Sequence, residues 1–242
     1  MRRALITGAA GGIGSELTRL FASDGYHVLA HCRNRGRAGP LTELAKALPV
    51  EIVIADLLQP EDVDQLAATV GDAPLELLIN NAATYGKAFA SMEEAIAAQS
   101  LGTLDFENLQ RCLQVNFLSP LQLIERLLPN LKAGAPSTVV NISTTLGSTT
   151  LVPDTMGGGG LYAYRTTKAA LNNASASMAN DLAPHNVSVL ILHPGLVRTR
   201  MGHPQADLSA TDSATALKAL IDAGGPAQSG KYLSYTGEEL PW

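Results

Sequence analysis

The stretch "TGAAGGIG", Thr7 to Gly14, follows a short apolar run, "ALIT" at 4–7, and leads into spaced apolar positions that predict a helix over 12–24. Gly8, Gly12 and Gly14 therefore fall at a strand-to-helix turn. Glycine reaches positive φ and lets main chain approach a ligand, while the helix start offers unpaired N–H groups and a positive dipole end to a pyrophosphate. The same spacing also suits a tight turn with no ligand. The surrounding chain has to distinguish the two.

Outward from this turn, short apolar runs recur: "HVLAH" (27–31), "EIVIA" (51–55), "ELLIN" (76–80), "TVVNIS" (138–143) and "VSVLILH" (187–193). Each has the length of a buried strand. Residues 60–70, 104–131 and 162–182 carry the spaced apolar positions of crossover helices, so the pattern predicts an α/β, doubly wound fold in a single domain over 1–242. Residues 84–103 fit this alternation poorly and read as a surface excursion. "MGGGG" (156–160) is the one stretch that reads as a flexible loop.

The 242 residues are 46% apolar and carry a formal charge of −5. That balance argues against a nucleic-acid surface, which needs clustered cations. Cys32 and Cys112 lack any metal-ligand or disulfide spacing, so no metal is expected. No signal-peptide pattern and no apolar run of membrane-spanning length is read, and the expected compartment is the cytoplasm.

The second strand ends in "HCRNRGR", which places Arg33, Arg35 and Arg37 where the adenosine ribose of a dinucleotide would lie. A carboxylate there would suit the 2′-hydroxyl of NAD, whereas guanidinium suits the extra phosphate of NADP. Arg33, nearest the strand end, is the chosen contact. NADP(H) is the preferred cofactor, with NAD(H) the alternative. Asp56, in "ADL" with Leu57, is placed at the adenine amino group; "NNAA" with Asn80 and Ala82 leaves space for adenosine, Asn80 having a mixed structural and cofactor role, while the alternative for either Asn80 or Asn81 is to tie neighbouring strands.

Within "GGLYAYRTTKAALN" (159–172), Tyr164 and Lys168 are four residues apart and share a helix face. Tyr162 lies six before Lys168 and turns away from that face; it adjoins the glycine run and need not be helical. An ammonium beside a phenol lowers a pKa otherwise about 10, which makes Tyr164 a candidate general acid or base.

TGxxxGIG at Gly8 to Gly14, NNAA at Asn80 to Ala83, the asparagine of "QVNFLSP", YxxxK at Tyr164 to Lys168 and "HPGLVRT" at 193–199 together resemble the short-chain dehydrogenase/reductase family over nearly the whole chain. "YAYRTTKAALN" and the ending "GKYLSYTGEELPW" look most like its carbonyl-reductase branch, with sniffer and the bacterial C-factor proteins. The resemblance implies a Rossmann-type, mostly parallel seven-stranded sheet with helices on both faces. It implies Asn116, Thr144, Tyr164 and Lys168 as catalytic residues, Asn116 holding a water that links Lys168 to solvent. Gly8, Gly12, Ile13, Gly14, Tyr164 and Lys168 would contact the cofactor, and Pro194, Gly195, Val197 and Thr199 its nicotinamide end. The family's catalytic serine follows the fifth strand, and "ISTTLG" puts Thr144 in its place, with Ser143 the substitute.

The implied activity is NADPH-dependent reduction of a ketone or aldehyde. The alternatives are a non-catalytic NAD(P)-binding regulator of the C-factor type and an NAD-dependent alcohol dehydrogenase. The partner is a small carbonyl or alcohol substrate, and a homodimer or homotetramer through the helices at 104–131 and 162–182 is expected by resemblance. Met201 and His203 are left outside the site.

Overall fold

A computed structural model of the chain describes residues 1–87, 89, 91–155 and 158–242, with the side chain of Met92 left out. Seven strands form one sheet: β1 (Arg2–Ile6), β2 (Tyr26–Cys32), β3 (Val50–Ile54), β4 (Leu77–Asn80), β5 (Ser137–Ile142), β6 (Val187–His193) and β7 (Tyr232–Ser234). Their order is β3-β2-β1-β4-β5-β6-β7. Every pairing is parallel, where the family resemblance implied a mostly parallel sheet. The sequence reading named six of these strands; the seventh has only three residues and leaves no periodic trace.

Alternation along β1 explains the layers. Ala4 and Ile6 enter one apolar cluster with Leu17 and Phe21, while Leu5 enters the other with Leu66, Leu123 and Leu127. Successive side chains of a strand face opposite ways, so a strand apolar at consecutive positions requires cover on both faces. Helices α1 (Gly12–Ser23) and α8 (Ala210–Asp222) pack together on one side. On the other, α3 (Pro60–Ala68) packs against α6 (Ser119–Ala133). The remaining α-helices are α2 (Gly39–Ala45), α4 (Met92–Ala97), α5 (Phe106–Leu113) and α7 (Tyr162–Leu182).

One expectation needs correction and one open point is settled. The helix expected over 104–131 is α5 and α6 joined by a π-helical turn, Gln114–Leu118, with Asn116 inside it. One extra residue in the turn leaves main-chain groups out of the regular ladder, and a short polar side chain can satisfy its surroundings there. Tyr162, whose helicity was open, is the first residue of α7. Of the glycine stretch 156–160, Met156 and Gly157 lie outside the described residues.

Candidate active site

The glycine loop leaves β1 between β2 and β4, where the strand order reverses. Gly8 has φ +63°, and a Cβ there would lie 2.8 Å from the Cα of Ala82. At Gly14 a Cβ would collide with the carbonyl oxygen of Gly8, and at Gly12 it would sit 2.7 Å from the methyl of Thr199. The side chains of Asn81 and Thr7 hold the loop. Asn81 Nδ2 donates to the carbonyls of Thr7 (2.9 Å) and Gly8 (3.1 Å), and Thr7 Oγ1 accepts the N–H groups of Asn81 and Ala82, both at 3.1 Å. Asparagine after a strand has many uses, so only the fold reveals this one.

Helix α1 then begins at Gly12 with no side-chain cap and no acidic residue in its first turn. Its N–H groups, with Ile13 at the second position, remain available to an anion. Arg33, Arg35 and Arg37 are exposed and, among the described residues, make no ion pair. Slight burial, then Arg200 and Arg33, lower the Arg37 pKa, so three guanidinium groups act on one region. This donor set fits the phosphates of a dinucleotide.

Other expected contacts are partly committed elsewhere. Asp56 accepts the N–H of Leu58 (3.1 Å). The side chain of Leu57 is in the core, and its carbonyl accepts the Ser119 hydroxyl at 2.7 Å. Asn80 Nδ2 donates to Asn141 Oδ1 (2.9 Å), and Asn141 donates on to Ser175, so Asn80 ties β4 to β5 and through it to α7. Its own Oδ1 is buried without a partner. Beyond β6, Ser213 donates to the carbonyl of Pro194 (2.7 Å), Gly195 turns at φ +84°, Val197 is buried and bridges Leu208, and Thr199 Oγ1 accepts the N–H of Gly202 at 3.0 Å. The Thr199 methyl lies against Gly12, which brings this segment over the glycine loop.

Tyr164 and Lys168 stand on consecutive turns of α7, 8% and 2% exposed. Lys168 Nζ donates to the carbonyl of Ile142 at 2.7 Å. Burial lowers its pKa to about 8. Burial raises the Tyr164 phenol well above 10, with Tyr85, Cys112 and Tyr232 adding to the rise. The expected lowering by Lys168 is therefore absent, and burial raises the phenol instead.

The segment 84–103 is mostly exposed or half-exposed among its described residues, as expected of a surface excursion, but Tyr85, Ala95 and Gln99 turn inward against the start of α7. The ring of Tyr85 lies 4.5 Å from that of Tyr164, and its hydroxyl donates to the carbonyl of Met201 (3.3 Å). Gln99 is 1% exposed and accepts the N–H of Tyr162 on its carbonyl (3.0 Å) and the N–H of Tyr164 on Oε1 (3.2 Å). Its Nε2 donates to the carbonyl of Tyr85 at 3.1 Å. The segment thus caps α7 through Gln99 and covers Tyr164 through Tyr85. A lone glutamine in a polar-looking stretch gives no sign of this.

Asn116 is fully buried and accepts the Thr84 N–H (2.8 Å), while its Nδ2 donates to Thr84 O (2.9 Å) and Thr167 Oγ1 (3.1 Å). It clamps the start of the covering segment to α7. Ser143 donates inward to Asn172 Oδ1 (2.5 Å) and is buried. Thr144, partly buried, accepts the Leu146 N–H at 3.3 Å, so its hydroxyl hydrogen remains to be donated.

A doubly wound sheet with an uncapped glycine-rich helix start on one face and a Tyr/Lys pair on a helix of the other defines a dinucleotide-dependent oxidoreductase class. Residues 2–209 match the short chain dehydrogenase family, and the chain belongs to that family. It falls in the carbonyl-reductase branch with sniffer and the C-factor-like proteins. C-signal of Myxococcus xanthus is 39% identical over 176 residues, 73% of this chain and 98% of that one. Carbonyl reductase Sniffer of D. melanogaster superposes with a TM-score of 0.84 at 32% identity, covering 100% of both chains. An NADPH-bound carbonyl reductase from chicken fatty liver superposes with a TM-score of 0.87 at 27% identity, covering 100% of this chain and 99% of that one.

Proposed function

We propose that the protein is an NADP(H)-dependent carbonyl reductase that converts a ketone or aldehyde to the alcohol. The observation that carries this reading is the buried pair on α7: a phenol kept protonated and an amine whose pKa is about 8, one turn apart. A phenol held in its acid form is suited to donate a proton to a carbonyl oxygen as negative charge develops there. Thr144 donates a hydrogen bond to the same oxygen, in the manner of an oxyanion-hole group. Lys168, titrating near neutrality, returns a proton to Tyr164 after turnover, and Asn116 keeps the relay water in place.

A nicotinamide dinucleotide held here would supply the hydride. Gly8, Gly12, Ile13 and Gly14 would receive its pyrophosphate, Arg33 with Arg37 its 2′-phosphate, and Asp56 and Leu57 its adenine. Asn80 and Ala82 would flank the adenosine; Pro194, Gly195, Val197 and Thr199 would orient the carboxamide.

Oxidation of NADPH and of NADH, followed by absorbance over a panel of ketones and aldehydes, tests the reading. NADPH consumption is expected, lost in Tyr164→Phe while NADPH binding persists; unchanged turnover in that variant would overturn it. The identity with C-signal supports a second reading, a cofactor-binding regulator without turnover. Binding of NADPH with no consumption across the panel would favour it. Consumption of NADH alone would instead point to an NAD-dependent alcohol dehydrogenase.

A further inference from the structure

His31 is a buried titratable ring that the mechanism does not use. It lies near the end of β2 and is 2% exposed. The main-chain N–H of Gly8 donates to its Nδ1 at 3.1 Å, and its Nε2 lies 3.0 Å from the carbonyl of Ala55, just past β3. These partners fix the tautomer: Nδ1 must be bare to accept, and Nε2 must carry the hydrogen to satisfy a carbonyl.

The peptide unit it touches opens the glycine loop. The N–H of Gly8 and the carbonyl of Thr7 belong to one planar group and point opposite ways. His31 takes the N–H from the β2 side, and Asn81 Nδ2 takes the carbonyl at 2.9 Å from the β4 side. The plane is therefore pinned at both ends just before the chain turns through φ +63° at Gly8. Rotation of this unit would swing the loop and the first N–H groups of α1 together. A main-chain link from Ala9 N–H to the carbonyl of His31 (2.8 Å) holds the backbone but does not orient that plane.

We propose that His31 is a positioning residue for the dinucleotide, holding the Thr7–Gly8 peptide in the orientation that aims the glycine loop at the cofactor phosphates. The inference rests on the proposed function. Three variants separate its two bonds. Asparagine carries its oxygen on the γ carbon, where Nδ1 sits, so His31→Asn keeps the acceptor for Gly8 and loses the donor to Ala55. Glutamine reaches the Nε2 position, so His31→Gln keeps the donor and loses the acceptor; His31→Leu loses both.

The test is fluorescence titration with NADPH and with NADH, together with KM and kcat and a urea unfolding curve for each variant. Loss of one oriented hydrogen bond should raise the NADPH Kd and KM about tenfold in His31→Gln and His31→Leu. His31→Asn should stay near wild type, and kcat at saturating NADPH should change little in all three. Equal Kd values in all folded variants, or weakening in His31→Asn as large as in His31→Gln, would overturn the proposal. A variant that unfolds leaves the Asn and Gln comparison to decide, and loss of both from the folded state at wild-type pH would also overturn the loop-specific role. Wild type that binds a dinucleotide but consumes none overturns only the reductase reading, since the Kd comparison still judges His31. Wild type that binds neither dinucleotide overturns both.

Discussion

Lys168 is an expensive residue to bury. Its charged form is disfavoured in the fold, where its pKa falls from 10.5 to about 8, so the unfolded chain holds the proton more tightly. The penalty is full below pH 8 and vanishes above pH 10.5, so stability attributable to this group rises across that window. Lys168→Met should therefore abolish turnover yet resist urea better at pH 7, by about 2 kcal/mol even after losing the bond to the Ile142 carbonyl. Urea curves of both proteins at pH 7 and pH 10.5 check this, and the gap should close at the higher pH. The two hydroxyls after β5 should separate as cleanly. Thr144→Ala is expected to lower kcat about 100-fold with stability nearly unchanged, as for removal of one oxyanion donor. Ser143→Ala should chiefly lower stability, by about 1 kcal/mol, because Asn172 loses its buried partner. Kinetics and melting of the pair decide which is catalytic. The Tyr164 and Lys168 pairing was legible because four residues make about one helical turn. The sign of the tyrosine shift was not, because desolvation depends on Tyr85 and other groups remote in sequence.

At the scale of elements, strands and long helices were readable from apolar periodicity, and β6 and α7 fall where the pattern puts them. The segment 84–103 was not. Only Ala95 and Gln99 are buried among its described residues, and the contacts it makes to α7 and the Met201 region run through Tyr85 and Gln99, whose partners are remote in sequence. The π-helical turn at Asn116 was also hidden, since one residue of excess does not disturb the apolar spacing on either side. Gln99 joins the covering segment to the start of α7. Gln99→Ala should leave Tyr164 N–H without its acceptor and allow the phenol to shift, which lowers kcat about tenfold or more while the NADPH Kd stays constant. Steady-state kinetics beside a binding titration measure both quantities.

The whole molecule is one seven-stranded sheet spanning residues 2 to 234, and among the described residues no helix is long and apolar enough to cross a membrane. Its core divides into layers above and below the sheet because alternate residues of the central strands are apolar on both sides. Assembly is not legible from periodicity, which reports burial within the chain and not between copies. The outer surface of α5, the π-helical turn and α6 exposes Phe106, Leu118 and Leu121. Sedimentation is expected to give a homodimer or homotetramer, shifted toward monomer by Phe106→Ser combined with Leu121→Ser; a wild-type monomer would contradict the expectation.

The covering segment has an evolutionary consequence. Because Gln99 both braces the main chain of Tyr85 and caps the helix that bears Tyr164, mutations that displace this cover to admit bulkier compounds would also loosen that tyrosine. New selectivity in this chain would arise with impaired rate first, and would require a compensating change elsewhere on α7 before the lost speed returned.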